Sequence, residues 1–306
     1  MIYNKVKSQS NLEQTWEMMK ESVTGSNKWW FFCLFVLMFF NWGIEAKKWQ
    51  LLAGAIEDVN YFKACKAVLS GVAMGLFLPN GIGEYFGKIV FMKEGNRLRS
   101  VSLTIVGSLS QLIVTIAGGL IGLISLRFGA WQNATAFNGI SAFWVNVIIS
   151  MIAMGILLLL FIYFKIGWLT SLLERAPFIQ KYKWLIEHLE SFERQELTRI
   201  LLLSFIRYLI FIVQYLIALY IFGVGLNMAD AAFTTSVLFL VLAVLPTIPF
   251  ADIGVRSEAG RQLFGILSTN TLGIVVTTAG IWFINLVIPA VAGSLFILSI
   301  KIFRNR

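Results

Sequence analysis

The stretch SAFWVNVIISMIAMGILLLLFIYF, residues 141–164, indicates the class of this chain because it is long, apolar and free of charged side chains. A helix needs about 20 such residues to cross the hydrocarbon core of a bilayer. Residues 101–126 form a second full span, and residues 200–222 form a third that is interrupted by Arg207. The pattern predicts an all-α, polytopic integral membrane protein.

The composition of the whole chain supports the same class. Hydrophobic residues make up 58% of the chain and charged residues 13%, whereas about a quarter of the residues are charged in a typical soluble domain. The net charge is +9, and most of the basic residues stand in a few polar segments beside apolar spans. This placement favours anionic membrane lipids over nucleic acid as the partner.

Shorter apolar stretches complete a prediction of about five to seven transmembrane helices. Residues 29–44 and 64–78 are apolar but short for a span, whereas 272–300 is a long last span. Residues 1–28 are polar, with apolar residues at helical spacing, which predicts an amphipathic N-terminal segment. Residues 29–306 are interpreted as one transmembrane domain in the cytoplasmic membrane.

Basic residues orient the predicted spans. The charged connector 165–199 and the C-terminal tail are rich in Lys and Arg, so the positive-inside bias places both in the cytoplasm. The span 200–222 then runs outward and the last span inward, so residues 232–268 must enter and leave on the outer side. We interpret 232–268 as a re-entrant hairpin whose tip, residues 246–253, contains two prolines.

A second Pro-broken segment resembles the first. Residues 78–84, LPNGIGE, and residues 248–254, IPFADIG, both break an apolar helix at Pro and continue with Ile-Gly and a charged helix start. If residues 62–97 form a hairpin entering from the inside, the two halves are inverted repeats, and broken helices at matching positions indicate a transporter site. The alternative is that residues 62–78 simply span, and charge counting does not separate the two.

Charged residues near these breaks and inside the spans are the candidate substrate-binding residues, because burying charge in a bilayer costs about 2.5–3.5 kcal/mol per residue. They are Glu84, Lys88, Arg207, Asp252, Arg256 and Glu258.

The candidates near the second break have both binding and structural interpretations. A guanidinium at Arg256 can hold a lipid phosphate through two parallel hydrogen bonds. The structural alternative is an internal pair with Asp252 or Glu258. For Asp252, capping of a helix that begins at Ile253 is favoured over a binding role.

The remaining candidates also have two interpretations. Glu84 and Lys88 are four residues apart and share a helix face, either as a binding pair or as a surface ion pair of little energetic value. Arg207 either faces the substrate path or extends to the inner interface. Two groups of glycines are expected to have structural roles. Tight turns are predicted at Gly81, Gly83 and Gly254. Close helix packing is predicted at Gly118, Gly119 and Gly122.

No nucleophile triad, metal-ligand set or phosphate-binding loop is present in the sequence. We therefore expect no catalytic activity, no cofactor and no metal site.

Three short motifs resemble the flippase-like family known as the lysylphosphatidylglycerol synthase transmembrane region. They are the basic-aromatic group Lys47-Lys48-Trp49, the motif from Pro79 to Glu84 and the motif from Pro249 to Glu258. The resemblance covers nearly the whole chain, although Ala251 and Asp252 replace the paired glycines of the late motif. Family members usually begin with one more apolar helix, and residues 1–10 look like the exit of such a helix.

The resemblance implies a lipid flippase without the soluble aminoacyl-transferase domain. We expect the head of an anionic phospholipid or a lipid-linked intermediate to pass along a cavity between the two hairpins. The alternative is a non-catalytic accessory subunit that scaffolds a separate synthase, and either function is compatible with a homo-oligomer. A third, weaker hypothesis is an intramembrane lipid-modifying enzyme that uses Glu84, Asp252 or Glu258.

Overall fold

The computed structural model describes residues 25, 27–76, 78, 82–129, 142–173, 184, 187–245 and 249–304. The α-helices of this part of the chain are, in order, α1 (Lys28–Ala53), α2 (Tyr61–Gly75), α3 (Ile82–Val90), α4 (Arg99–Phe128), α5 (Ala142–Phe164), α6 (Ile166–Leu173), α7 (Arg194–Ile221), α8 (Met228–Val244), α9 (Pro249–Phe264), α10 (Thr271–Trp282) and α11 (Ile288–Arg304). A π-helical turn, Phe283–Val287, joins α10 to α11.

Within these described residues, 5 helical stretches are long and apolar enough to cross a membrane. They are α1, α4, α5, α7 and the continuous stretch from α10 into α11. Helix α8 is apolar but shorter, and α2, α3 and α9 are short as well. The predicted class, a polytopic α-helical membrane protein, is confirmed.

Helix α1 is longer than the apolar stretch 29–44 predicts, because it continues through a polar group to Ala53. Asn41, Glu45 and Lys48 are all buried on it. Since these side chains have partners inside the protein, the helix does not have to end where the sequence becomes polar.

Other predicted boundaries also change. Helix α7 begins at Arg194, so it includes the end of the predicted connector 165–199. The connector also contains α6. Most of the amphipathic segment 1–28 and both Pro-containing breaks, residues 79–81 and 246–248, lie outside the described residues. The inverted repeat stays a prediction.

The chain divides into two compact units, and both are built from parts of several helices. The described residues of unit 1 come from Met1–Phe39, Thr115–Ala153 and Leu209–Asn285. Those of unit 2 come from Phe40–Val114, Met154–Tyr208 and Leu286–Arg306.

In unit 1, small residues bring helices into close contact. A Cβ on Gly122 of α4 would lie 2.7 Å from the Phe233 carbonyl oxygen of α8, and one on Gly119 would overlap Leu240. On α9, a Cβ on Gly260 would lie 2.5 Å from Cγ2 of Thr278. The prediction of close helix packing is confirmed for Gly119 and Gly122 of α4.

In unit 2, glycines serve the same purpose at the pair formed by α2 and α3. A Cβ on Gly87 would overlap the Gly71 backbone, and one on Gly83 would overlap Met74 and Gly75. Helix α2 is also in close contact with α11, where a Cβ on Gly293 would overlap the Leu69 backbone. These contacts fix α3 against α2 and so position the charged residues that α3 carries.

The predicted turn role of two glycines is wrong. Gly83 lies inside α3 and Gly254 inside α9. Gly83 permits close packing, because no side chain would fit between it and α2. Gly81 lies outside the described residues.

Candidate functional site

A buried carboxylate of unit 2 contacts three cations, one on its own helix and two on other helices. Glu45 of α1 is 4% exposed. Its oxygens lie 2.8 Å from Nζ of Lys48, 2.7 Å from Nη1 of Arg207 and 3.7 Å from Nζ of Lys88. Glu45 and Lys48 share a helix face because they are three residues apart, whereas Lys88 comes from α3 and Arg207 from α7.

Lys48 is held by three acceptors. Besides Glu45, its ammonium donates to the Gly107 carbonyl oxygen at 3.3 Å and to Oγ of Ser204 at 3.4 Å. The hydroxyl groups of Ser204 and Ser110 are themselves hydrogen bonded at 2.8 Å. A buried ammonium needs such partners because its transfer out of water is otherwise very costly.

Arg207 is turned toward α1. Its Nε donates to Oδ1 of Asn41 at 2.6 Å, and its Nη1 donates to Glu45 at 2.7 Å. The guanidinium also lies 5.0 Å from the ring centre of Trp42, a cation–π contact. The side chain is therefore part of a largely buried ion pair, and its extension to the inner interface, the alternative interpretation from the sequence, stays a prediction.

Lys88 joins Glu84 to the same group. Its Nζ lies 2.5 Å from Oε1 of Glu84 and 5.0 Å from the ring centre of Trp49. The predicted pair at four-residue spacing is present, but Lys88 is only 3% exposed, so the surface-pair alternative is wrong. The Glu84 side chain is 38% exposed.

We call Glu45, Lys48, Glu84, Lys88 and Arg207 the ion cluster. It contains three cations and two carboxylates and so has a formal charge of +1. Sequence reasoning included Glu84, Lys88 and Arg207 among the candidates but did not include Glu45 and Lys48. The sequence signal that could have identified Glu45 and Lys48 is an acid and a base three residues apart, directly after an apolar stretch.

The candidates after the second break lie in unit 1. Nε of Arg256 lies 2.6 Å from Oδ2 of Asp252, and the Trp282 indole donates to the same oxygen at 3.1 Å. Helix α9 begins at Pro249, so Asp252 is already inside it. The prediction that Asp252 caps a helix beginning at Ile253 is wrong, and the internal pair with Arg256 is present.

Glu258 has a different partner from the one expected. It accepts two hydrogen bonds from Arg261, at 2.9 and 2.5 Å, and one from Gln262 at 2.9 Å. Residues two apart on a helix do not face each other, so Glu258 and Arg256 point to different sides. Of the two acids expected as alternatives for an internal pair with Arg256, Asp252 forms that pair.

Comparison with known protein families gives one match. The family model described as Lysylphosphatidylglycerol synthase TM region matches residues 12–293. The chain belongs to this family. No curated protein and no solved structure matches it. The lysylphosphatidylglycerol synthase TM region is a membrane domain linked to lipid modification or flippase roles.

The ion cluster uses part of the motif by which the sequence resembles other lysylphosphatidylglycerol synthase TM regions. In the basic-aromatic group, Lys48 is buried in the cluster, whereas the Lys47 side chain is exposed and bonds to Gln50. Trp49 is also buried, under Lys88. Only the buried members of the motif therefore belong to the candidate site.

Proposed function

We propose that this protein translocates an anionic phospholipid or a lipid-linked intermediate across the cytoplasmic membrane, and that the ion cluster handles the lipid head. The observation that supports the proposal is a group of ionisable side chains, most of them buried, on helices that carry or adjoin membrane spans. Charged residues at membrane depth commonly face a substrate path.

A purely structural role explains the cluster less well. Each charged residue placed at a helix centre costs about 2.5–3.5 kcal/mol on insertion scales. Replacing a buried ion pair by well-packed apolar residues is often neutral or stabilising. Apolar side chains could therefore hold α1, α3 and α7 together at a lower cost, which favours a chemical role for the charges.

The cation types suit a phosphate. Arg207 has a planar guanidinium that can form two parallel hydrogen bonds to phosphate oxygens, and Lys88 supplies a compact charge nearby. Both cations contact Glu45. We propose that an entering phosphate takes part of the place of that carboxylate, so the cations are paired before and after the lipid arrives.

Arg256 is a second candidate contact for the phosphate, in unit 1. Its pair with Asp252 accounts for one edge of the guanidinium, and its side chain is 32% exposed. We propose it as a phosphate contact of unit 1, to be tested independently of the ion cluster.

Movement of labelled lipid in proteoliposomes tests the proposal. The purified chain is reconstituted with fluorescent phosphatidylglycerol, with and without a pH gradient, and transbilayer movement is followed by quenching of the outer leaflet. We expect wild type to accelerate movement and Arg207→Gln to slow it about ten- to hundredfold. That range follows because a hydrogen bond to a charged group contributes about 1.5–3 kcal/mol, and 1.36 kcal/mol is tenfold in rate.

Lys47→Gln is the matched control, since it removes a basic residue from the same helix at an exposed position. It should leave movement unchanged. Folded wild-type protein that does not accelerate lipid movement under either condition would favour the accessory-subunit alternative. Full activity in folded Arg207→Gln would assign the cluster a structural role.

A further inference from the structure

The pair of Asp252 and Arg256 in unit 1 is held by side chains from two other helices. We infer that Trp282 and Tyr215 are positioning residues, which orient the Arg256 guanidinium toward a lipid phosphate. This role rests on the proposed function, in which Arg256 contacts the phosphate. It adds two aromatic side chains that act through Arg256 and need not touch the lipid themselves.

The first observation concerns the Asp252 carboxylate. Asp252 is 7% exposed, and its Oδ2 accepts from two donors, Nε of Arg256 at 2.6 Å and the Trp282 indole at 3.1 Å. Arg256 lies one turn further along α9, whereas Trp282 is the last residue of α10. The indole therefore limits how far the carboxylate can turn, and the carboxylate holds Nε of Arg256.

The second observation concerns Tyr215 of α7. Its side chain is 1% exposed, and its ring meets the Phe239 ring edge to face, with 5.3 Å between the ring centres. Its hydroxyl is hydrogen bonded to the Arg256 guanidinium, which is the donor because a guanidinium has no acceptor atom. Packing against Phe239 thus fixes the point at which Tyr215 holds Arg256.

Two fixed contacts determine the direction of the guanidinium. The bond from Nε to Asp252 holds one atom but still allows the planar group to swing, and the Tyr215 contact restricts that swing. The Arg256 side chain is 32% exposed, and the two contacts account for only part of its five N–H donors. Because a bidentate bond to phosphate needs the fork in one orientation, loss of either contact should weaken phosphate binding without removing the charge.

Tyr215→Phe and Trp282→Phe test the inference, because each removes a polar contact and keeps an aromatic ring. The purified full chain is reconstituted with increasing mole fractions of fluorescent phosphatidylglycerol, and the initial rate of lipid movement is measured at each fraction. We expect each variant to raise the half-saturating mole fraction about three- to tenfold. The maximal rate should stay within about twofold of wild type, since only binding is weakened.

A role that only ties the helices together predicts a different result. A less stable protein has fewer active copies, so its maximal rate falls while its half-saturating mole fraction stays the same. Tyr220→Phe is the matched control, since Tyr220 lies on the same helix and is 64% exposed. It should keep both wild-type values.

A double variant tests whether Tyr215 acts through Arg256. Arg256→Lys already removes the planar fork, so Tyr215→Phe should raise the half-saturating mole fraction less in that background than in wild type. An equal effect in both backgrounds would overturn the inference. Unchanged half-saturating mole fractions in folded Tyr215→Phe and Trp282→Phe would also overturn it, and so would a lower maximal rate as the only effect.

Binding in detergent separates the positioning role from the proposed function. Displacement of fluorescent phosphatidylglycerol by the unlabelled lipid measures affinity without any lipid movement. Weaker binding by both variants, in a protein that does not accelerate lipid movement, would remove the proposed function and leave the positioning role standing. Lipid movement that depends on Arg256, with the same half-saturating mole fraction in Tyr215→Phe and Trp282→Phe, would do the reverse.

Discussion

Replacing Glu45 by Gln should destabilise the protein more than any other single change in the ion cluster. Gln keeps the size of the side chain and one acceptor oxygen but removes the charge that Lys48, Lys88 and Arg207 share. The cluster then has three cations and only the half-exposed Glu84 as counter-charge. Arg207→Gln, in contrast, leaves two cations with two carboxylates.

The expected magnitude follows from this imbalance. Removing one partner of a buried ion pair costs about 3–5 kcal/mol, because the other charge stays buried without compensation. Glu45 has two cationic contacts below 3 Å and a third at 3.7 Å, so we expect Glu45→Gln to cost about 3–5 kcal/mol. Arg207→Gln should cost about 1.5–3 kcal/mol, the value for lost hydrogen bonds to charged groups.

Equilibrium unfolding in mixed micelles titrated with SDS measures these free energies, with tryptophan fluorescence as the signal. The double variant Glu45→Gln/Arg207→Gln should cost less than the sum of the single changes, since residues in one network couple by about 0.5–3 kcal/mol. A cost below about 0.5 kcal/mol for Glu45→Gln, or simple additivity in the double variant, would refute the buried network.

Three further predictions concern other parts of the molecule. Gly87→Ala should lower thermal stability in detergent because its methyl group would overlap the Gly71 backbone. Gly75→Ala should not, because a methyl group there would meet nothing within 4 Å. Equal stability of the two variants would contradict the packing of α2 on α3. If residues 232–268 form a re-entrant hairpin, single cysteines introduced at Asn227 and at Ser268 in a cysteine-free background should be labelled by an impermeant reagent from the same side of the membrane. Labelling from opposite sides would make α8 an ordinary span. Arg256→Lys should fold and insert normally but move lipid poorly in the proteoliposome assay, because Lys loses the planar fork; full transport would make Arg256 structural.

The class of the fold could be predicted because long apolar segments without charge have few alternatives. The extent of α1 could not. Hydropathy along the chain records that residues 45–48 are polar, but it does not record that Ser204 and Arg207, far away in sequence, supply partners for them. A polar group inside a span is acceptable only when such distant partners exist, and one sequence does not show them.

The candidate site could be predicted in part for the same reason. Glu84 and Lys88 follow from helical spacing, which is local. Glu45 is the residue that joins them to Arg207, and this contact depends on how three helices pack. Gly83 shows the opposite error, because its neighbours in the sequence predict a turn, whereas the close approach of α2 accounts for the glycine.

The central claim is that the ion cluster binds the phosphate of an anionic lipid. An experimental structure of the protein in nanodiscs made from phosphatidylglycerol tests it most directly. The account predicts density for a headgroup within hydrogen-bond reach of Arg207 and Lys88. An ordered cluster that retains its contacts around Glu45, with headgroup density only along the outer, lipid-facing surfaces of the helices, would contradict it.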